Sequence, residues 1–117
     1  MKYTLHLPSR PFYAIKNGTK KAEGRVTTKK SDKFHLMKRG EKILFKNEDN
    51  GEEMITRINF VHHYGSPREM LIAEGVENML SSGSSLEEGI KIYNSFFKYE
   101  KNIPLHGIYA LGISPVE

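Results

Sequence analysis

The sequence predicts an α+β fold, a small barrel in which strands dominate and helices are short. Three observations lead there. Segments with strand patterning run with helical ones in the order β-α-β-β-β-α-α-β. The helical segments carry their own start and stop residues and none is long. A final apolar segment after the last helix reads as a strand that returns to the sheet.

Tyr3 to Leu7 alternates as a strand does and stops at Pro8. Pro11 to Gly18 reads as a short helix, with Pro11 in the first turn, Gly18 as the stop, and Phe12 and Ile15 on the buried face. Ala22 to Thr28 has strand propensity from Val26 and the threonines. The basic stretch from Thr28 to Arg39 is a loop with a short extended piece at Phe34-His35-Leu36. Lys42 to Lys46 is a strand, followed by a hairpin loop over Asn47 to Gly51 in which Asn50-Gly51 is the turn signal. Glu53 to Tyr64 is the longest strand, and its alternation slips near Phe60-Val61, which predicts a bulge.

Ser66-Pro67-Arg68-Glu69 opens a helix with a cap, a first-turn proline and a capping-box glutamate. Gly75 interrupts it, and Val76 to Leu80 forms another short apolar patch. Ser85-Leu86-Glu87-Glu88 repeats the capping-box pattern, and the helix behind it places Leu86, Ile90, Tyr93 and Phe97 on one face. Asn102-Ile103-Pro104 is expected to break the chain before a last strand over His106 to Ile113.

Residues 1–117 form a single domain, since domains commonly run to roughly 100–150 residues. No apolar run approaches the ~20 residues of a membrane-spanning helix, and the N-terminus lacks the apolar stretch of a signal peptide. A cytoplasmic location is expected, in keeping with the absence of cysteine. That absence also excludes disulfides, thiolate zinc sites and a cysteine nucleophile. Phosphate-loop patterns and a GxSxG nucleophile elbow are lacking as well.

Charge is distributed unevenly. Residues 1–46 hold 13 Lys and Arg against three acids, whereas residues 47–117 hold five basic residues against 11 acids. The overall charge is only +4, but a positive and a negative face follow from the split. A positive face attracts a polyanion, nucleic acid first among them, although solvated lysines would give the same pattern. The acidic half could equally serve a protein-interaction adaptor, for which nothing more specific speaks. No metal site is expected: the five histidines form no HxH or HExxH pattern, and His62 and His63, adjacent on a strand, point to opposite faces, one packed and one solvated. No cofactor is expected either, beyond a weakly bound divalent metal such as manganese or magnesium held by carboxylates and phosphate oxygens.

One constellation stands out, Gly18-x-Lys20-x-x-Glu23-x-Arg25. Glu23 and Arg25 are two apart on a strand and share a face, while Gly24 leaves the other face open to close approach. Lys20 and Arg25 can hold a phosphate or carbonyl oxygen, and Glu23 can accept from an amine or act as a base. A salt bridge on a barrel rim is the competing explanation.

The run Pro11-Phe12-x-x-Ile15-Lys16-x-Gly18-x-Lys20-x-x-Glu23-x-Arg25 resembles the opening motif of ASCH (activating signal cointegrator homology) domains. Lys38-Arg39-Gly40-Glu41-Lys42-Ile43-Leu44-Phe45 is similar to that family's K/R-x-G-D-x-I-x-F segment, with Glu41 in place of the aspartate. The stretches Met70 to Leu80 and Glu87 to Tyr93, and the closing Gly107-Ile108-Tyr109-Ala110-Leu111 strand, extend the likeness in order along the chain. The resemblance implies a PUA-like β-barrel of about five to six strands with two to three short helices packed at its openings. It also implies a cleft beside Lys20, Glu23 and Arg25, and RNA or nucleotide binding. Lys20, Arg25, Lys29, Lys30, Lys33, Lys38 and Arg39 would make the nucleic-acid contacts, with Phe34 or Tyr13 stacking on a base. The partner expected is RNA or a nucleotide or nucleoside, with no membrane involved and a monomer favoured.

An alternative reading is a small hydrolase. Some small members of the family are amidohydrolases acting on acetylcytidine, and others have been described as metal-dependent ribonucleases. In that reading Lys20, Glu23 and Glu77 would be the reacting groups. Glu23 stands where the amidohydrolases carry a threonine nucleophile, and a carboxylate is not an activated hydroxyl.

Overall fold

The computed structural model describes residues 2–116. Five strands form one sheet: β1 (Tyr3–Leu7), β2 (Ala22–Arg25), β3 (Lys42–Asn47), β4 (Glu53–Tyr64) and β5 (Ile108–Pro115). Their order across the sheet is β1-β3-β4-β5-β2. Only β1 and β3 run parallel; every other pair is antiparallel. Five helices accompany the sheet among the described residues: α1 (Ser9–Lys16), α2 (Pro67–Glu74), α3 (Val76–Met79), α4 (Leu86–Ser95) and α5 (Tyr99–His106). None is long and apolar enough to cross a membrane.

The sheet curls into a half-barrel, and its edge strands β1 and β2 face each other without pairing. Side chains bridge that gap instead. Arg25 donates from Nη2 to the His6 carbonyl at 2.9 Å, and Lys33 from Nζ to the Thr4 carbonyl at 3.5 Å. Curvature has a local cause in β4. Ile58 pairs with Ile113 but Phe60 pairs with Gly112, so Asn59 is the extra residue of the bulge that the sequence predicts. The Phe60 ring lies over Gly112, where a Cβ would come within 2.1 Å of it.

Each face of the sheet carries its own apolar cluster. On one, Leu5, Ile43, Phe45, Ile58 and Leu111 pack against Phe12 and Ile15 of α1. On the other, Ala22, Val26, Ile108 and Ala110 pack against Met70 and Leu71 of α2, Met79 of α3, Tyr93 of α4 and Ile103 of α5. The pleat therefore sends Ala22 and Gly24 of β2, and Val26 just after it, to the helical side and Glu23 and Arg25 to the other.

Several local expectations change. Helix α1 starts at Ser9, two residues before Pro11. Strand β2 ends at Arg25, and Thr28 and Ser31 form a separate tight turn through Thr28 N to Ser31 O (3.0 Å) and Ser31 N to Thr28 O (3.1 Å). Phe34-His35-Leu36 is a single 3-10 turn rather than an extended piece, because that geometry buries Phe34 and Met37 together in the core. Phe97 does not continue the apolar face of α4, which stops at Ser95, and it stands 84% exposed. Pro104 does not break the chain. It sits inside α5, where it leaves only the carbonyl of exposed Glu100 without a helical donor.

Candidate functional site

Three elements converge on the gap between the edge strands. The turn after α1 brings in Lys20, β2 brings Glu23 and Arg25, and α3 docks beside them through Lys21 N to Asn78 O at 2.8 Å. Lys20 and Glu23 are 4% and 8% exposed. Lys20 Nζ lies 3.2 Å from Glu23 Oε1, and it donates to Ala22 O at 2.8 Å and to Met79 O. All three of its N–H donors are thereby used within the fold. Arg25 Nε donates to Glu23 Oε2 at 2.7 Å. Both Glu23 oxygens are engaged, and Arg25 is the cation of the three with donors left over.

These contacts set the protonation states. Burial lowers the Lys20 pKa, and the neighbouring Glu23 carboxylate only partly opposes it. Burial alone would raise the Glu23 pKa, but the Lys20 and Arg25 charges outweigh it and hold the carboxyl below its ordinary range. Glu23 is thus a fixed anion and a permanent acceptor.

The cluster forms the floor of a cleft of about 340 Å³. Its walls are His6 and Pro8 on the β1 side, Ser81 and Ser82 after α3, and an aromatic row from α4 and α5. In that row the rings of Tyr93 and Phe96 meet edge to face at 5.7 Å, and those of Phe96 and Tyr99 at 5.4 Å. Tyr93 is buried and lies directly on Gly24, where a Cβ would be 2.6 Å from its ring. Close approach at Gly24 is therefore real, and a protein side chain makes it. Phe96 is 44% exposed and lines the cleft. A second groove of about 210 Å³ adjoins the cleft, and Arg25 and Tyr99 line both.

The remaining residues expected at the site divide clearly. Lys30 lines the second groove, and Lys29 is exposed beside it on the Thr28–Ser31 turn. Lys33 is half-buried along β1. Lys38 and Arg39 are exposed before β3 and line neither cavity. Glu77 is exposed on α3, with its carboxylate beside Gly75, and is not part of the cleft wall. Glu77 thus does not join Lys20 and Glu23 in the cleft as the hydrolase reading has it. Phe34 is 1% exposed and belongs to the core, so it cannot stack on a base. Tyr13 is bonded through its hydroxyl to Glu52 at 2.8 Å, beside the β3–β4 hairpin and outside both cavities.

Among the described residues no three His, Asp or Glu side chains converge as metal ligands would. His62 and His63 do face opposite sides, but both are exposed. His62 stacks on Phe60 at 4.3 Å and bonds Glu74, while His63 packs on Tyr109 at 4.7 Å and bonds the His106 carbonyl.

Sequence reasoning did not single out Phe96 and Tyr99 of the aromatic row, nor Lys98, which lines the second groove. The spacing Tyr93-x-x-Phe96-x-x-Tyr99 carries a signal, but it reads as helix core until the end of α4 at Ser95 is known.

The comparisons agree with this fold. The ASCH domain profile matches residues 5–117. The crystal structure of hypothetical protein PH0355 superposes with a TM-score of 0.84 at 34% identity, covering 99% of this chain and 100% of that one. The solution structure of protein PF0455 from Pyrococcus furiosus gives a TM-score of 0.77 at 34% identity, covering 100% and 99%. No curated protein matches the sequence. With its profile matched over nearly the whole length and its fold shared at this identity, the chain belongs to the ASCH domain family.

Proposed function

We propose that this domain binds RNA or a nucleotide by receiving a base in the cleft. The observation that carries the reading is one juxtaposition: a half-exposed aromatic ring, Phe96, lines the same cleft as a buried carboxylate that is held ionised, Glu23. A flat ring accepts the face of any base, and a fixed acceptor selects an exocyclic amino group. Cleft volume falls in the range usual for small-ligand sites, roughly 300–1,000 Å³.

The roles differ from residue to residue. Lys20 is a positioning residue, since its donors are used in holding Glu23 and α3. Arg25 is the ligand-facing cation, with further phosphate attraction from Lys29 and Lys30. The family-wide association with RNA agrees with this assignment.

Titration of fluorescently labelled single-stranded RNA at several salt concentrations tests it. About three phosphate contacts predict a log–log salt slope of about −2. Phe96→Ala should weaken binding about tenfold or more, and adenine or cytosine oligomers should bind more tightly than uracil ones. Binding that ignores salt, or that survives Phe96→Ala unchanged, would count against the cleft.

A further inference from the structure

The second groove has a different chemistry from the cleft, and the difference is informative. Three cations line it, Arg25, Lys30 and Lys98, and no carboxylate does. Thr28 and Ser31 add polar side chains at its rim. Its outer wall is Phe97, the most exposed large apolar side chain among those described, with Lys98 Nζ 5.2 Å from the ring centre. Lys98 itself has φ 67, the one positive value at a non-glycine residue among those described. A lysine in the left-handed region is uncommon and carries a cost, and this turn places both Phe97 and Lys98 over the groove.

Arg25 and Tyr99 belong to both cavities, so the two adjoin as one surface. The cleft side holds an anion, Glu23, and suits a neutral base. The groove side holds only positive charge and an unsatisfied ring, and suits a phosphate followed by another base.

We infer that the groove is a second subsite, which takes the phosphodiester and the neighbouring base of a single-stranded ribo-oligonucleotide. The minimal full ligand is then a dinucleotide rather than a mononucleotide. This rests on the proposal that the cleft receives a base. Arg25 holds the phosphate that joins the two bases, Lys30 and Lys98 flank it, and Phe97 stacks on the second base.

Calorimetric titration with nucleoside monophosphates and with dinucleotides of the same bases tests the inference. Wild-type protein is compared with Phe97→Ala, with Lys30→Ala combined with Lys98→Asn, and with Phe96→Ala. Asparagine is used at 98 because it tolerates the left-handed backbone. The dinucleotide should bind at least about tenfold more tightly than the monophosphate; Phe97→Ala should erase that gain while leaving monophosphate binding unchanged, and the lysine double variant should weaken the dinucleotide more than the monophosphate. Phe96→Ala should weaken both ligands. A dinucleotide that binds no better than the monophosphate, or a gain that survives the groove variants, would overturn the second subsite and leave the cleft standing. No monophosphate binding, or binding indifferent to Phe96→Ala, would overturn the cleft reading and the subsite with it.

Discussion

Arg25 joins the two edges of the half-barrel. Its Nη2 donates to the carbonyl oxygen of His6 at 2.9 Å, a backbone group of β1 that β2 does not reach by strand pairing. The same guanidinium holds Glu23 through Nε at 2.7 Å. One side chain therefore closes the sheet, fixes the buried anion and lines the cleft. Its planar fork allows these contacts together, which a lysine ammonium in the same place could not match.

Arg25→Ala should accordingly lower stability as well as binding. Removing one partner of a largely buried charge network typically costs about 3–5 kcal/mol. Since Lys20 still pairs with Glu23 and Arg25 retains some exposure, a loss of about 2–3 kcal/mol is expected. Urea denaturation measures it, and Arg25→Lys should recover only part. An unchanged urea midpoint for Arg25→Ala would show that the bridge contributes nothing.

Glu23 gives stability a pH dependence of known sign. Its folded-state pKa lies below the ordinary 4.5, so its contribution is complete above that value. The contribution is lost as the pH falls from about 4.5 through the lower folded-state value. Glu23→Gln should therefore cost about 3–5 kcal/mol near neutrality, because Lys20 loses its buried partner. That deficit should shrink steadily on acidification. Urea midpoints of both proteins between pH 7 and pH 3 provide the check; a constant deficit would contradict the ionised Glu23.

Gly24 and Tyr93 should behave as a coupled pair. A Cβ at 24 would stand 2.6 Å from the Tyr93 ring, and that ring is buried. Gly24→Ala is expected to cost about 1–3 kcal/mol by overpacking. Combined with Tyr93→Leu, it should cost less than the sum of the two single changes. A double-mutant cycle measures the coupling, and strict additivity would remove the contact from the account.

Helix α4, which carries Tyr93 and ends just before Phe96, depends on its cap. Ser85 Oγ accepts from Glu88 N at 3.2 Å, and Glu88 Oε1 accepts from Ser85 N at 2.9 Å. Ser85→Ala should cost about 1 kcal/mol, read by thermal melting. RNA affinity should fall slightly with it, because Tyr93 and Phe96 lose part of their support.

Local signals revealed what local physics controls. The alternation of Met54, Thr56 and Ile58 and its slip near Phe60-Val61 indicated β4 and its bulge, which the structure places at Asn59, because pleat and burial act within one strand. Ser66 and Ser85 marked helix starts because caps are made by neighbours in sequence. Glu23 and Arg25 shared a face for the same reason. The 3-10 turn at Phe34 was not legible, since it is set by core volume that distant residues define. Pro104 misled because an eight-residue helix can forgo one bond at an exposed carbonyl. Lys20 stood out in the sequence beside Glu23 and Arg25, but the saturation of its ammonium by Met79 O depends on a contact 59 residues away.

The central claim, that the cleft over Lys20, Glu23 and Arg25 receives a base, is tested most directly by amide chemical-shift mapping with a nucleoside monophosphate. Shifts confined to Glu23–Val26, Ser81–Ser82 and Tyr93–Tyr99 are the predicted result. Shifts centred on Lys38 and Arg39, or spread evenly over the lysine surface without the cleft amides, would contradict it.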